Sequence, residues 1–465
     1  MVRAVQREFR SRKGSLKMSV NRRSFIQYAS LAAGGNLVGL RPFGALNAFA
    51  QSAPTPSYKA LVCVFLFGGN DANNTLVPFD TAGYKNYAQL RGPLALPQSQ
   101  LLQLASMPNY GLHGSLPEVR RLIDTGSAAL VANVGTLVQP TTRATVAAQQ
   151  NLPSNLFSHT DQQLQWQNAA QNATTNTGWA GRMSDLLGNR FNPSSSIPMI
   201  TSVAGDTLFC DGQSTTPMAV VPGNLAGVSC GEGTQECAAR QALAQSFLSF
   251  DGGLSLVQAE NVITQDAYRY ASVLTEAIAS TAPLTTVFPS GNPFAAQLQQ
   301  IAQLMQVRNS FGVNRQIFFA GVGNFDTHAN QFTQQSVLLG QFSSAISAFY
   351  QATQEMGIAN DVTSFTMSDF SRTLQPNSNS GSDHGWGSHH IVVGGAVRGG
   401  KLYGTYPTLA LGGPDDSGAN GRWIPTTGSV QYAATLASWF GVSASQLSSI
   451  FPSLGAFSSA NLGFV

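Results

Sequence analysis

The sequence contains little cysteine. Only four cysteines occur in 465 residues, too few for a disulfide scaffold in a chain of this length, and no two of them have C-x-x-C spacing. Cys63 lies in an apolar run and is predicted to be a buried thiol. One pair among Cys210, Cys230 and Cys237 could oxidise in an oxidising compartment. Cysteine content therefore argues against a disulfide-rich fold and against a zinc knuckle.

Charge and long apolar runs are scarce too. Charged residues make up 10% of the sequence, and residues 51–465 hold 16 basic against 21 acidic side chains. A nucleic-acid partner requires a clustered basic face, which this segment lacks, so we expect none. The apolar stretch 25–40 is interrupted by glycines and falls short of the roughly 20 residues that a membrane span needs. We therefore predict no stable membrane span.

The first fifty residues have the pattern of an export signal. An Arg22-Arg23 pair precedes the apolar stretch 25–40, and the A-x-A sequence at 48–50 suits a cleavage site. Residues 1–50 are thus predicted to be a twin-arginine signal peptide that engages the twin-arginine export machinery. The mature protein is expected in the periplasm or outside the cell. The sequence identifies no other protein partner.

Residues 51–465 are predicted to form one large α/β domain. Nearly continuous apolar runs, bounded by Gly, Asn or Asp, favour parallel strands covered on both faces, and helical segments fall between them. This order predicts a doubly wound, mostly parallel sheet with helices on both faces. Residues 205–310, first rich in Gly and Ser and then helical, are predicted to be an insertion. The predicted strands are 59–71, 128–135, 197–203, 315–326 and 362–370, and the predicted helices are 255–281, 294–309 and 330–357.

Acidic residues end several of these predicted strands. Asp71, Asp326 and Asp369 each follow an apolar run. Because ligands of open α/β sheets bind beyond the carboxyl ends of the strands, the three carboxylates are expected to converge. The alternative for each is that it caps the next helix.

Histidines provide further candidate ligands. Asp326 and His328 would share one face if the strand extends through them, and a carboxylate beside an imidazole suits a divalent transition metal. The segment "SDHGWGSHH" adds three of the six histidines of the chain. Its adjacent His389 and His390 are expected to point apart, one as a ligand and the other as an orienting or substrate-binding group. The alternative is a solvated polar loop with incidental histidines.

The segments "FLFGGNDANNTLVPFD", "SHTDQQLQWQ", "SDFSRT" and "DHGWGSHHIVVGGAVRGGKLYG" resemble the DUF1501 family, exported bacterial proteins of the alkaline-phosphatase-like (sulfatase-like) superfamily. The resemblance covers nearly all of the mature chain. It implies an alkaline-phosphatase-like core and one or two divalent ions held at the carboxyl ends of the central strands. Zinc is the expected ion, with Ca, Mg or Mn as alternatives. The metal-ligand candidates are Asp71, Asp326, His328, Asp369, Asp383, His384 and His389.

Two departures from the superfamily pattern leave the number of ions open. Phe370 follows Asp369 where a histidine is usual, and the Asp326–His328 spacing is compressed. No cysteine lies in a C-x-P-S-R context, which argues against a formylglycine sulfatase.

The resemblance implies a hydroxyl nucleophile, and three remain open. Ser158 begins a predicted helix beside His159, Thr142 precedes Arg143 as a possible anion clamp, and Thr75 lies near the first strand. Each could instead be a plain helix cap. Arg372 is a second candidate clamp, His113 could join the site or cap a helix, and Trp386 is expected to pack the histidine loop.

The expected function is a metal-dependent hydrolase that acts on a small anionic substrate, a phosphate or sulfate ester. The alternative is a non-catalytic, metal-stabilised binding or assembly protein of the cell envelope with the same fold.

Overall fold

The computed structural model describes residues 57–171, 175–223 and 235–465. The predicted signal peptide, Cys230 and the side chain of Cys237 lie outside the described residues. Cys63 and Cys210 are buried free thiols. None of the described helices has the length and apolarity needed to cross a membrane.

Twelve strands are found in the described part of the chain. In chain order they are β1 Lys59–Leu66, β2 Leu76–Pro78, β3 Leu102–Gln103, β4 Tyr110–Leu112, β5 Ala128–Gly135, β6 Ile200–Ser202, β7 Met218–Ala219, β8 Arg315–Val322, β9 Val362–Ser368, β10 Ser388–Gly394, β11 Leu402–Gly404 and β12 Thr427–Gly428.

Twelve α-helices alternate with these strands in the same described residues. They are α1 Ala72–Thr75, α2 Thr81–Arg91, α3 Pro117–Asp124, α4 Arg143–Ala147, α5 His159–Asn168, α6 Trp179–Phe191, α7 Gln235–Phe247, α8 Ser255–Ala279, α9 Pro293–Gln306, α10 Gln331–Glu355, α11 Ser429–Phe440 and α12 Leu447–Ile450.

The main sheet has the strand order β11-β5-β10-β9-β1-β8-β6-β7, with β12 paired to β5. Strand β1 runs parallel to both β8 and β9, whereas β10 runs antiparallel to its neighbours β9 and β5. The carboxyl ends of β1, β5, β8 and β9 therefore share one edge with the amino end of β10. A small sheet of order β2-β4-β3 lies apart from the main one.

Both faces of the sheet are covered, as the continuous apolar runs predict. Along β1, Val62 and Val64 belong to a core cluster that includes residues of α3, α9 and α10. The alternate residues Cys63 and Phe65 belong to a second cluster with residues of α6, α11 and α12. The fold is thus a doubly wound, mostly parallel α/β sheet, and this prediction is confirmed.

Several predicted elements end elsewhere than expected. Strands β1, β8 and β9 stop at Leu66, Val322 and Ser368, so the acidic residues after them lie in loops. Conversely, His389 and His390 were expected in an extended segment at the surface, with one of them a ligand, and the surface position was wrong. They lie inside β10, where both are buried, because the apolar residues that follow them continue a strand in the middle of the sheet.

The region 205–310 contributes to the same domain as the rest of the described chain. Its strand β7 pairs with β6 at the edge of the sheet, and Phe294 of its helix α9 stacks on Phe342 of α10 at 6.0 Å between ring centroids. That it is an insertion remains a prediction.

Glycines let the turn after β1 pass close to the neighbouring loops. Gly68 and Gly69 have φ of 109° and 82°, a region that strongly favours glycine. A Cβ on Gly68 would come within 2.4 Å of the backbone nitrogen of Asp326, and one on Gly69 within 2.6 Å of the ring of Phe370. The turn therefore packs directly against both loops that carry the candidate site.

Candidate metal centre

Four chain segments meet at the shared edge of the sheet. Asp326 and His328 lie in the loop after β8, and Asp369 directly follows β9. His384 lies just before β10, and His159 is the first residue of α5. The antiparallel course of β10 is what brings the last of these histidines to the same edge as the strand-end acids.

Three imidazole nitrogens and one carboxylate oxygen face one another here. His384 Nε2 lies 3.1 Å from His159 Nε2 and 2.8 Å from His328 Nε2. Asp326 Oδ1 lies 3.4 Å from the Nε2 of His159, 3.1 Å from that of His328 and 3.7 Å from that of His384. Ligand atoms around a tetrahedral zinc ion, with bonds near 2.05 Å, are about 3.3 Å apart. His159, Asp326 and His384 have ligand atoms within 4.8 Å of one another and could hold a divalent ion, and His328 Nε2 lies beside two of the three.

The far nitrogen of each ring has an oxygen partner. His159 Nδ1 lies 2.7 Å from Asp369 Oδ2, and His328 Nδ1 lies 3.2 Å from Asp383 Oδ1. His384 Nδ1 lies 2.6 Å from the carbonyl oxygen of Phe157, which can only accept a hydrogen bond. Each Nδ1 can therefore donate its hydrogen to an oxygen, which leaves the Nε2 atoms directed into the cluster. Metal-binding histidines are held in this way, with the second nitrogen donating to a carboxylate or carbonyl.

The charges around the cluster favour an ionised carboxylate. Burial opposes ionisation of Asp326, but the hydrogen bond and charge of Arg372, together with His159 and His328, outweigh it and lower its pKa. The hydrogen bond to Asp369 raises the pKa of His159, while burial lowers that of His384. Two neighbouring rings of the cluster thus differ in their tendency to be protonated.

Arg372 is hydrogen-bonded to the carboxylate of the cluster and to two neighbouring loops. Its side chain is fully buried, Nη1 donates to Asp326 Oδ1 at 2.8 Å and to the carbonyl of Gly68, and Nη2 donates to the carbonyl of Ser382. The guanidinium therefore fixes the carboxylate of Asp326 and joins three loops. With no exposed surface, it is not available as a clamp on a substrate anion.

Aromatic residues close one side of the cluster. The ring of Phe370 lies 4.7 Å from His384 and 4.8 Å from His159, centroid to centroid. Phe370 packs against these rings without offering a ligand atom. Phe157, whose carbonyl binds His384, has φ of 72°, a strained conformation for a bulky residue, so the loop before α5 is held in a specific shape.

Two predicted ligands are not brought to the cluster. Asp71 is 1% exposed, caps α1, and pairs with the fully buried Arg91 and with Gln331. His389 is also buried, and its Nδ1 accepts from the backbone nitrogen of Asn133 at 3.1 Å. Both side chains are therefore engaged in the protein interior.

Asp369 and Asp383 do not face the centre of the cluster; each is hydrogen-bonded to the Nδ1 of a cluster histidine. Asp369 Oδ1 accepts from the backbone of Gly68, and its Oδ2 accepts from His159 and from Gln163 Nε2 at 2.8 Å. Asp383 Oδ1 accepts from His328 and Asn377. The structure therefore places both carboxylates behind histidine ligands, where they orient the rings.

The three candidate hydroxyls lie in different surroundings. Ser158 caps α5, and its Oγ donates to Asp161 Oδ2 at 2.5 Å. Thr142 caps α4 and is exposed, whereas Thr75 is buried and donates to the carbonyl of Asp71. Ser158 is the one directly attached to a residue of the cluster.

Other predicted site residues have structural contacts. Arg143 Nη1 donates to the carbonyls of Gly413 and Asp416, and Trp386 is buried with its indole nitrogen donating to the carbonyl of Thr136. His113 is buried, which lowers its pKa to about 4, and its Nδ1 accepts from the backbone of Ser115.

Three features of the cluster were not predicted from the sequence. They are the position of His159 as a candidate ligand, the hydrogen bond from Gln163 to Asp369, and the hydrogen bond of the Phe157 carbonyl to His384. His159 was predicted to be a catalytic residue beside the candidate nucleophile Ser158, not a metal ligand. A signal was available, since His159 and Gln163 are four residues apart and so share one face of α5, where both reach Asp369. The part of the Phe157 carbonyl had no such signal, because backbone conformation decides it.

A family model described as "Protein of unknown function (DUF1501)" matches residues 58–416. The chain belongs to the DUF1501 family. No curated protein matches this DUF1501 chain significantly.

Solved structures give only weak matches. One is Ps i-CgsB in complex with k-i-k-neocarrahexaose, with 11% identity, a TM-score of 0.34, and coverage of 84% of this chain and 74% of that one. The lipoteichoic acid synthase LtaP from Listeria monocytogenes gives 9%, 0.32, 84% and 73%. BT1596, a 2-O GAG sulfatase, gives 8%, 0.31, 83% and 71%. At these TM-scores the likeness carries no argument, so we base the functional proposal on the site.

Proposed function

We propose that this DUF1501 protein is an exported, metal-dependent hydrolase of phosphate or sulfate esters, with the alkaline-phosphatase-like arrangement that the sequence resembles. The observation that carries the proposal is the convergence of three histidine Nε2 atoms beside Asp326 Oδ1. Imidazole nitrogens that converge with a carboxylate oxygen are a typical site for a divalent transition-metal ion.

His159, His328, His384 and Asp326 would hold the ion. Nitrogen and carboxylate ligands together suit Zn²⁺ better than Ca²⁺ or Mg²⁺, which prefer oxygen ligands alone. When bound, a zinc ion supplies Lewis acidity toward an ester oxygen and lowers the pKa of an attached water or hydroxyl. The side chains of Asp326 and His328 are 46% and 42% exposed, so a small anionic ester could reach this point.

The residues of α5 would handle the proton of the nucleophile. Ser158 Oγ already donates to Asp161 Oδ2, and the hydrogen bonds from Asn155 and Ser158 lower the pKa of Asp161. Asp161 is therefore ionised at neutral pH and orients the Ser158 hydroxyl. As Ser158 forms its bond to the phosphorus or sulfur, the bond to the alcohol oxygen would break, and the departing alkoxide would take up the proton that Ser158 loses. His159, next in the chain, fixes this helix start to the ligand cluster through Asp369.

The test combines element analysis of the purified protein with turnover of aryl phosphates, phosphodiesters and aryl sulfates. We expect about one zinc ion per chain. Ser158→Ala should abolish turnover while the bound zinc stays, and Thr142→Ala and Thr75→Ala serve as matched hydroxyl controls that keep activity. A protein that binds no metal and hydrolyses none of these esters would contradict the proposal.

One observation favours the second candidate, a binding or assembly protein. The segment 243–263 exposes several large apolar side chains, among them Phe250 at 78% and Leu256 at 82%. Apolar patches of this kind are typical of protein contacts. Stoichiometric zinc without turnover by the wild-type protein would support this candidate.

A further inference from the structure

A cavity adjoins the metal centre on the side of His384. It has a volume of about 380 Å³ and lies between residues 146–157 and residues 417–422. Six of the ten residues that line it are apolar, among them Val146, Leu156, Phe157 and Trp386. A volume of a few hundred Å³ is that of a site for a small organic molecule.

His384 connects the cavity to the metal centre. Its carbonyl oxygen accepts from Arg422 Nε at 2.8 Å, and its Nδ1 donates to the carbonyl of Phe157 at 2.6 Å. Both of these partners line the cavity. The same histidine therefore offers Nε2 to the cluster on one side and contacts the cavity wall on the other.

Arg422 is the one cation among the residues that line this cavity. Its guanidinium lies 4.4 Å from the ring centroid of Phe157, and its Nε is used by His384. Its two terminal nitrogens have no hydrogen-bond partner within the part of the chain that the structure describes. A partly buried guanidinium with two free donors is suited to binding a carboxylate or similar anion at two points.

The loop that carries Arg422 is fixed before any ligand binds. Asp416 is fully buried, and its carboxylate accepts from the backbone nitrogens of Gly412, Gly418, Gly421 and Arg422. On the opposite wall, Trp386 is held by its bond to Thr136. The cavity is thus preformed, which reduces the entropy cost of binding.

We infer that this cavity binds the non-reacting part of the substrate, an apolar aromatic group that carries a carboxylate or equivalent anion for Arg422. The ester head would then reach the ligand cluster past His384. The inference rests on the proposed function in that it treats the bound molecule as the substrate of a hydrolase. The binding itself requires neither an ion nor turnover.

The experiment is calorimetric titration of the purified metal-free protein with 2-naphthoate, 2-naphthol and acetate. The variants are Arg422→Met, which removes the cation, and Val146→Trp, which fills the cavity without touching the charge. The matched control is Arg121→Met, because Arg121 is exposed and lies outside the cavity.

Wild-type protein should bind 2-naphthoate, bind 2-naphthol roughly tenfold more weakly or worse, and show no binding of acetate. Arg422→Met should weaken naphthoate binding by about tenfold or more, Val146→Trp should remove it, and Arg121→Met should leave it unchanged. Absence of naphthoate binding, or equal binding by wild type, Arg422→Met and Val146→Trp, would overturn the inference. If binding follows these expectations while the protein holds no metal and turns over no ester, the hydrolase proposal alone fails.

Discussion

His384 and the pair His389–His390 are separated by only a few residues in the chain and lie in opposite surroundings. His384 precedes β10 and joins His159 and His328 at the open edge of the sheet, where each far nitrogen has an oxygen partner. His389 and His390 lie inside β10 and are buried, and no carboxylate of the described residues is bonded to either. The residue type is the same, so the point where the strand begins decides whether a histidine can serve as a ligand.

The largest difference is expected from His384→Ala against His389→Ala. Loss of a direct ligand should reduce zinc affinity by roughly 100-fold or more, above the 10–100-fold range typical of residues behind the ligands. His389→Ala should leave the affinity within a factor of about two, because its ring does not face the cluster. Competition with a zinc-chelating dye checks both variants, and equal losses would contradict the distinction.

A smaller effect is expected when an orienting carboxylate is neutralised. Asp369→Asn should weaken zinc binding by roughly 10- to 100-fold, because its 2.7 Å bond fixes the ring of His159. Asp383→Asn should cost less, since its bond to His328 is longer at 3.2 Å and its side chain is 48% exposed. The same dye assay compares the zinc affinities of the two variants. A larger loss in Asp383→Asn than in Asp369→Asn would contradict this ranking of the two hydrogen bonds.

His389→Leu should affect stability instead of metal binding. The backbone nitrogen of Asn133 would lose its acceptor inside the sheet, which costs about 1–3 kcal/mol of the free energy of unfolding. Urea unfolding of the metal-free protein measures this loss. The comparison would fail if His384→Ala, made at the exposed edge, destabilised the metal-free protein more than His389→Leu.

The buried pair should also make stability depend on pH. Burial lowers the pKa of His389 to about 4 and that of His390 to about 3, both below the value near 6.5 of the unfolded chain. The unfolded chain therefore binds more protons, and the stability is fully present above about pH 6.5 and falls as the pH decreases toward 4.

His390→Leu should flatten this dependence by about 1.4 kcal/mol per pH unit below pH 6.5. Urea unfolding of the metal-free wild type and variant at pH 7.0, 6.0 and 5.0 provides the measurement. Parallel curves for the two proteins would show that His390 does not titrate on unfolding.

The class of the fold could be predicted because a strand that is buried on both faces has a continuous run of apolar residues in the sequence. The run 59–66 has no polar residue after Lys59, and 128–135 matched β5 to the residue. The sequence also predicted that acids would follow strands. It could not predict which of them lie at the cluster, because Asp71 and Asp326 follow similar runs and differ in their cationic partners, Arg91 and Arg372, which come from distant segments.

The candidate site was predictable in composition and less so in geometry. Asp326, His328 and His384 were proposed together and lie together. His159 lies 167 positions before Asp326 and joins the cluster through the tertiary course of the chain, which local spacing does not encode. The buried position of His389 depended on where β10 begins, and strand boundaries are the least predictable part of an element.

The reversed direction of β10 has a consequence for related chains. Asp369 directly follows β9 and His384 lies just before the antiparallel β10, so both can stay at the same edge of the sheet while the connecting segment 370–383 changes in length. Homologues should therefore be aligned on the termini of the central strands, with the interval between the acidic and histidine positions left free to vary.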